Sequence, residues 1–467
     1  MAPAYRNEDR RQTDAGAATS PGRANATIFA LSSAPGRAGV AIIRVSGAGA
    51  ANALKALVGE LPEPRHAHLA ALRDPSTGEA LDQAITLWFP GPHSFTGEDV
   101  AELHLHGGRA VVQGVADALS ELTGLRPADA GEFARRAFEN GKLDLTEIEG
   151  LADLINAETQ AQRRQALRQT EGALGALYDR WRNELIAALA NIEAALDFSN
   201  EADVPGEVSA RARPAVERLQ TEIAVHLDDR HLGERLRDGF RVLLAGPPNA
   251  GKSSLLNALA RRDAAIVSQE PGTTRDVIEV HLDLAGFPVL VMDTAGIRKA
   301  RGEVEREGVA RTFARAEDAD LIVWLVDATA PLWEAPVELE EAGGEVATVL
   351  NKIDLAKPAP PKDISTQPIE ISAKTGNNID ALTEAIAARA AQRLGAGEAP
   401  ALTRTRHRLE LENAREALGR FLAGPPEELE LRAEDLRQAV QALGRITGRV
   451  DVEDVLDRIF AEFCIGK

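Results

Sequence analysis

Hydrophobic and polar positions along this chain follow four successive patterns. In residues 25–142, apolar runs such as ATIFALSS, VAIIRVSG, AITLWFPG and DVAELHLHGG are short, β-branched and punctuated by glycine, which predicts strands and turns. In residues 143–236 apolar residues recur at i, i+3, i+4 and i+7. LTEIEGLADLINAET, GALGALYDRWRNELIAALANIEAAL and RARPAVERLQTEIAVHLDDR therefore predict long amphipathic helices. Residues 237–396 alternate strand and helix patterns, as a parallel α/β sheet requires. Past the small-residue linker GAGEAPALT, residues 397–467 return to helical spacing in RHRLELENAREALGRFL and AEDLRQAVQALGRITG.

Helical sequence on both sides of an α/β module has an economical explanation. One helical domain, split into 143–236 and 397–467, carries the 237–396 module as an insertion at a loop. Two separate helical domains are the alternative. The predicted fold is thus multidomain α/β: an N-terminal α+β domain, a helical domain, and an α/β domain inserted into the helical one. Residues 1–24 are polar and Ala-rich, and Glu8, Asp9 and Asp14 argue against a transit peptide, so a disordered tail is expected.

Composition narrows the functional classes. A formal charge of −19 gives no global basic field for nucleic acid, so an RNA partner needs a local basic patch or a second protein. With a single cysteine there is no intramolecular disulfide, which fits a reducing, cytoplasmic compartment. No apolar run approaches the ~20 residues that span a bilayer, so no membrane association is expected.

The most informative stretch is GPPNAGKSS, between the apolar run FRVLLAG and the helix-like LLNALA. Gly246, Gly251, Lys252 and Ser253 fit G-x-x-x-x-G-K-[ST], in which curled backbone and a helix N-terminus cradle phosphates. Lys252 is placed to reach the β/γ-phosphates and Ser253 a Mg2+ ion. DTAG (Asp293, Thr294, Ala295, Gly296) ends the strand VLVM; the Asp suits the water shell of Mg2+ and the Gly N–H can sense a γ-phosphate. NKID and SAK then choose the base. The Asp354 carboxylate can accept from guanine N1–H and its 2-amino group, while adenine offers an acceptor at N1; the Ala373 N–H can meet guanine O6. In GTTRD, Thr274 is placed to close over Mg2+ as part of a first switch segment.

One catalytic part is missing. Many P-loop GTPases carry Gln directly after DxxG to orient water, and here Ile297 stands there. Asn249 offers a carbonyl oxygen near the β/γ-phosphates that suits a monovalent cation; an Asn chosen for the bend of the loop is the alternative. Glu303, Glu305 and Glu307 are candidate water-orienting carboxylates in a run whose ordinary reading is a solvated charged helix.

Taken together, PGRAGVAIIRVSG, FPGPHSFTGEDVAELHLHGG, GEFARRAFENGKLDL, GPPNAGKSSLLNALA, PGTTRD, DTAGIR and the terminal FCIGK closely resemble the MnmE (TrmE) family of tRNA-modification GTPases, from residue 25 to 467. The resemblance implies a K+-stimulated GTPase acting with MnmG, an FAD- and NADH-using partner, in a heterotetramer. Together they would install an aminomethyl or carboxymethylaminomethyl group on C5 of the wobble uridine of tRNA. It implies a homodimer formed through an N-terminal domain that binds 5-formyl- or 5,10-methylene-tetrahydrofolate as one-carbon donor. Matching positions place Asn249, Ser268, Glu270 and Thr273 around K+ and Ser253 and Thr274 on Mg2+, with Glu305 orienting water. Nucleotide contacts are implied for Asn249, Ala250, Gly251, Lys252, Ser253 and Ser254, for Ser268, Gln269, Glu270, Pro271, Gly272, Thr273 and Thr274, and for Asp293, Thr294, Ala295 and Gly296. The base-side contacts implied are Asn351, Lys352, Asp354, Ser372, Ala373 and Lys374.

For folate the resemblance points to Arg44, Glu102, Lys142 and Lys467. Their chemistry is plausible: Arg44 interrupts an apolar strand where a charge needs a partner, and Glu102 can accept from pterin N–H groups. Cys464 is a candidate catalytic thiol, with a buried structural cysteine as the ordinary reading. Cys464-Ile465-Gly466-Lys467 has the spacing of a prenylation box but the wrong last two residues. His104 and His106, with His93, lack the ligands of a typical zinc site. Two other functions share parts of this pattern: an assembly or regulatory GTPase, such as a ribosome-maturation factor, without base chemistry, and a folate-dependent transferase with a vestigial G domain.

Overall fold

In the computed structural model, which describes residues 26–197, 204–229, 231–262, 264–266, 279–293, 316–341, 344–361, 367–395, 401–425, 428–450, 453–461, 463 and 466, the chain divides into two units. One comprises Met1–Leu143 and Glu453–Lys467, the other Asp144–Val452.

The first unit is built on a six-stranded sheet of β1 (Thr27–Leu31), β2 (Ala38–Ser46), β3 (His68–Arg73), β4 (Ala80–Phe89), β5 (Val100–Gly107) and β6 (Leu125–Pro127). Their order is β3-β4-β5-β2-β1-β6. The four longer apolar runs became β1, β2, β4 and β5; β3 and the three-residue β6 lacked a clear periodic signal. Ile43 and Val45 of β2 and Leu103 and Leu105 of β5 point into a core with the helices Ala50–Val58 and Arg109–Ser120. Period-two alternation therefore turns Arg44 and Glu102 to the opposite face.

The final helix, Glu453–Ala461, groups with this unit, whereas the periodicity had joined it to the other helices of 397–467. Its Phe460 fits over Gly131, where a Cβ would lie 2.7 Å from the Phe460 carbonyl oxygen, and the Arg135 guanidinium sits 5.1 Å from the Phe460 ring centroid. Beyond it, Ser32 Oγ donates to the Gly466 carbonyl at 2.8 Å.

The second unit contains a seven-stranded sheet: β7 (Phe240–Ala245), β8 (Ala265–Ile266), β9 (Glu279–Leu284), β10 (Phe287–Asp293), β11 (Leu321–Asp327), β12 (Glu345–Asn351) and β13 (Ile369–Glu370). The order is β13-β12-β11-β7-β10-β9-β8, parallel from β13 through β10, with β9 and β8 added antiparallel. Apolar continuity, as in LIVWLVD of β11, reflects burial on both faces.

The helices Ala173–Asp197, Val204–Leu227, Thr405–Ala423 and Leu429–Thr447 share one core that includes Leu185, Ile192, Val216, Leu411, Leu418 and Leu436. Sequence before and after the α/β module thus contributes to a single helical core. The return of the chain into this body is pinned by charge. Arg404 Nη2 donates to Asp153 Oδ1 at 2.7 Å. Arg406 donates to both Glu149 oxygens at 2.6 and 2.9 Å, and His407 Nε2 lies 2.8 Å from Glu149 Oε2. Burial drops the His407 imidazole to about 4, outweighing the adjacent carboxylate. Burial works against ionised Glu149 too, but Arg406 holds its carboxyl well below the usual range. A neutral His407 with Nε2–H donating leaves only an acceptor lone pair on Nδ1, and Nδ1 has no partner among the described residues.

Candidate nucleotide site and sheet-face cluster

The phosphate loop leaves the C-terminal end of β7 and enters the helix Lys252–Ala260, which is held down by buried Leu255, Leu256 and Leu259. Its turn needs left-handed backbone at Gly246 (φ 147°), Asn249 (φ 65°) and Gly251 (φ 100°). At Gly246 a Cβ would lie 2.6 Å from the Leu325 carbonyl oxygen, so only glycine fits against β11. Asn tolerates the left-handed region better than most residues, so the bend explains part of the choice at 249. Asn249 is nonetheless exposed at the loop surface.

Lys252 Nζ donates to the Gly246 and Pro247 carbonyls at 2.7 and 3.0 Å, which lays the ammonium across the loop. Ser253 Oγ donates to Asp293 Oδ2 at 2.8 Å. A hydroxyl from the helix N-terminus and a fully buried carboxylate from the end of β10 therefore meet, and two hard oxygen donors there suit Mg2+.

At the end of β12, Asn351 is buried and does not point outward. Its Nδ2 donates to the Ala250 carbonyl at 2.8 Å and its Oδ1 accepts from the Ala373 N–H at 3.0 Å. The Ala373 N–H expected for guanine O6 is thus directed at Asn351. Asp354 is exposed, with Oδ1 accepting from the buried Ser372 hydroxyl at 2.7 Å, which orients the carboxylate and leaves it open to a base. Ser372 Oγ also accepts from the Thr375 N–H at 3.2 Å, closing the SAK turn. Ser254 and Lys374 are exposed beside these loops.

Sequence reasoning missed Asp327. It ends β11 just as Asp293 and Asn351 end their strands, and its Oδ2 accepts from Lys352 Nζ at 2.6 Å. Burial raises the Asp327 carboxyl, yet hydrogen bonds from Lys352 and Thr329 and the Lys352 charge bring it below its ordinary value. A strand-terminal Asp after an apolar run was the available signal. Ser268, Gln269, Glu270, Pro271, Gly272, Thr273, Thr274, Thr294, Ala295, Gly296, Ile297, Glu303, Glu305, Glu307, Cys464, Lys467 and the 1–24 tail lie outside the described residues.

On the first unit's sheet, antiparallel register sets Arg44 opposite Glu102. Arg44 Nε and Nη2 donate to Glu102 Oε1 at 3.0 and 2.8 Å, and His104 Nε2 lies 3.3 Å from the other oxygen. The guanidinium lies 5.1 Å from the Phe95 ring centroid and 5.8 Å from that of Phe133. Lys142 Nζ donates to the Pro92 carbonyl at 3.1 Å, in the same β4–β5 connection that carries Phe95. His106 pairs instead with Asp82, Nδ1 to Oδ1 at 2.7 Å. Of the two rings, Phe133 is fully buried and Phe95 is partly exposed, so Phe95 is the apolar surface beside the donors and acceptors of the ion pair. Phe95 and Phe133 lie within two strings that carry the family resemblance, FPGPHSFTGEDVAELHLHGG and GEFARRAFENGKLDL, but no pattern of their own marks either ring as a site residue.

A family model described as the MnmE helical domain matches residues 145–464, and one described as the GTP-binding protein TrmE N-terminus matches residues 27–142. A tRNA modification GTPase MnmE of Parvibaculum lavamentivorans is 56% identical over 445 residues, covering 94% of this chain and 100% of the relative. Proteins of the same description from Paramagnetospirillum magneticum and Rhodospirillum rubrum are 55% and 54% identical, each over 94% of this chain and 99% of the relative.

Proposed function

The chain belongs to the MnmE family of tRNA modification GTPases, and from that premise we propose that it is a cytoplasmic, K+-stimulated GTPase that modifies C5 of the wobble uridine. It acts as a homodimer in a heterotetramer with MnmG, the FAD and NADH enzyme, and takes its one-carbon unit from tetrahydrofolate. The observation that carries the GTPase part is the meeting of phosphate loop, Asp293, Asn351 and Asp354 at the C-terminal ends of β7, β10 and β12. Among the described residues no helix is long and apolar enough to cross a membrane.

Each residue has a physical task. Lys252 and the N–H groups at the start of its helix bind the phosphates. Ser253 and Asp293, with Thr274, hold Mg2+, directly or through its water shell. Asp354, oriented by Ser372, reads the guanine edge, and Asn351 keeps the base loop in register with the phosphate loop. Asn249, with Ser268, Glu270 and Thr273, would hold K+, whose charge offsets negative charge developing between the β- and γ-phosphates. Glu305 orients the attacking water in place of the glutamine that Ile297 replaces. Arg44 and Glu102, with Lys142 and Lys467, hold the folate, and Cys464 is the candidate thiol at the modification site.

Steady-state GTP turnover in K+ against Na+, for the wild type and for Asn249→Ser, tests the hydrolytic part. Expected is stimulation by K+ in the wild type and its loss in the variant; equal stimulation in both removes Asn249 from the cation site. Nucleoside analysis of tRNA from cells lacking the protein tests the modification. Unchanged C5-substituted uridines would leave a GTPase without this substrate, as an assembly factor would be.

A further inference from the structure

In a chain of net charge −19, the helix Gln160–Thr170 contains no Asp or Glu and three arginines. Helical spacing puts Arg163, Arg164, Leu167 and Arg168 on its outer face, and all four are exposed. The inner face is fixed at several points. Ala161 and Ala166 are buried, and Thr159 and Gln162 form a capping box. The Ala161 N–H donates to the Gly286 carbonyl in the β9–β10 turn at 3.0 Å, and Gln162 Nε2 donates to the Arg237 carbonyl at 2.8 Å. Buried Gln169 donates to the Thr146 carbonyl at 2.9 Å and accepts from Thr403 Oγ1 at 3.0 Å.

Among the described residues Arg163 Nε donates to the Gln160 amide oxygen at 3.1 Å, and neither Arg163 nor Arg164 has a carboxylate within ion-pair distance. Several other outward arginines of the helical body, Arg180, Arg213, Arg218, Arg437 and Arg449, do have such partners. A rigid helix presenting guanidiniums without internal carboxylates suits a polyanion, because each planar fork can take two phosphate oxygens and no side-chain ordering is needed beforehand. The face offers one leucine and no aromatic ring, too little apolar surface for the core of a protein interface.

We propose that the outer face of Gln160–Thr170 is a docking surface for the sugar-phosphate backbone of tRNA. It rests on the reading that tRNA is the substrate, and it supplies the local basic patch that an acidic chain needs. Contacts of this kind position the RNA without reading its sequence.

The test is filter binding of bulk tRNA to the full-length protein over a KCl series, with the wild type, R163Q/R164Q and R163K/R164K. Gln keeps helix propensity close to that of Arg. The Gln pair should weaken binding by roughly tenfold at moderate salt and reduce the slope of log K against log salt by about 1.4–1.8. The Lys pair should keep the wild-type slope. GTP turnover and thermal melting should match the wild type in both. Wild-type affinity and slope in the Gln pair would overturn the proposal and leave the face to solvent or an acidic protein. A wild type that retains no tRNA at low salt would remove the tRNA reading with it, while the GTPase reading stands or falls on its own turnover assay.

Discussion

The Asn351 carboxamide occupies the space that a side chain on residue 251 would need. Gly251 is thereby required twice, by its φ of 100° and by the neighbour from the end of β12. Through the Ala250 carbonyl and the Ala373 N–H, this one buried amide ties the phosphate loop to the base loop. Asn351→Ala would leave both backbone groups unpaired, at a cost of about 2–4 kcal/mol in the ordering of the site. Titration with a fluorescent GDP analogue should show a loss of about thirtyfold or more in affinity, by the same estimate. Near-wild-type binding would mean that the two loops are held by something else.

Base choice rests on Asp354. An Asp354→Asn variant replaces one acceptor oxygen by a donor, which faces the guanine N1–H and 2-amino donors. Two hydrogen bonds to a charged group are at stake, so GTP affinity should fall by about a hundredfold or more. Xanthosine triphosphate, which carries a carbonyl in place of the 2-amino group, should bind the variant better than the wild type. Competition binding with both nucleotides decides this, and an unaltered preference for GTP would move the base contact to another residue.

Arg44 and Glu102 make a prediction that separates folding from ligand binding. Their side chains are 22% and 16% exposed, so Arg44→Ala leaves a half-desolvated carboxylate without its counter-ion. Destabilisation of about 1–3 kcal/mol should follow, visible as a lower melting temperature for the first unit. Calorimetric titration with 5-formyltetrahydrofolate should lose its binding signal in Arg44→Ala and in Glu102→Gln. Glu102→Gln keeps an acceptor for Arg44, so its fold should be nearly intact, and full folate binding by that variant would remove the ion pair from the folate site.

Acid should weaken the helical body through His407. Its imidazole falls from an ordinary 6.5 to about 4 in the fold, so between those values the unfolded chain binds a proton that the folded one refuses. The His407 contribution to stability is therefore flat above about pH 7 and declines as pH drops through 6.5 toward 4, by on the order of 2 kcal/mol at pH 5. The depressed Glu149 carboxyl acts in the same direction, but only as pH falls below 4.5. His407→Gln keeps a donor for Glu149 and cannot titrate. Calorimetric melting at pH 7.5 and pH 5 should show a smaller drop in the variant; an equal drop would place the acid sensitivity elsewhere.

The order of parts was determined by sequence alone, because each part has its own hydrophobic period and those periods are local. GPPNAGKSS, DTAG, NKID and SAK were also legible, since their chemistry is carried by short contiguous strings at strand ends. Three things needed the tertiary structure. That helices before and after the α/β module form one body shows only in a shared core, to which Val216 and Leu418 both belong and which no local pattern records. The placement of the last helix depends on Phe460 meeting a glycine turn early in the chain. Asn351 reads as a base contact in its motif and acts as a strut between loops only because the parallel sheet sets β12 and β7 on either side of β11. Pairings between strands distant in sequence follow from register and packing, and those are properties of the whole fold.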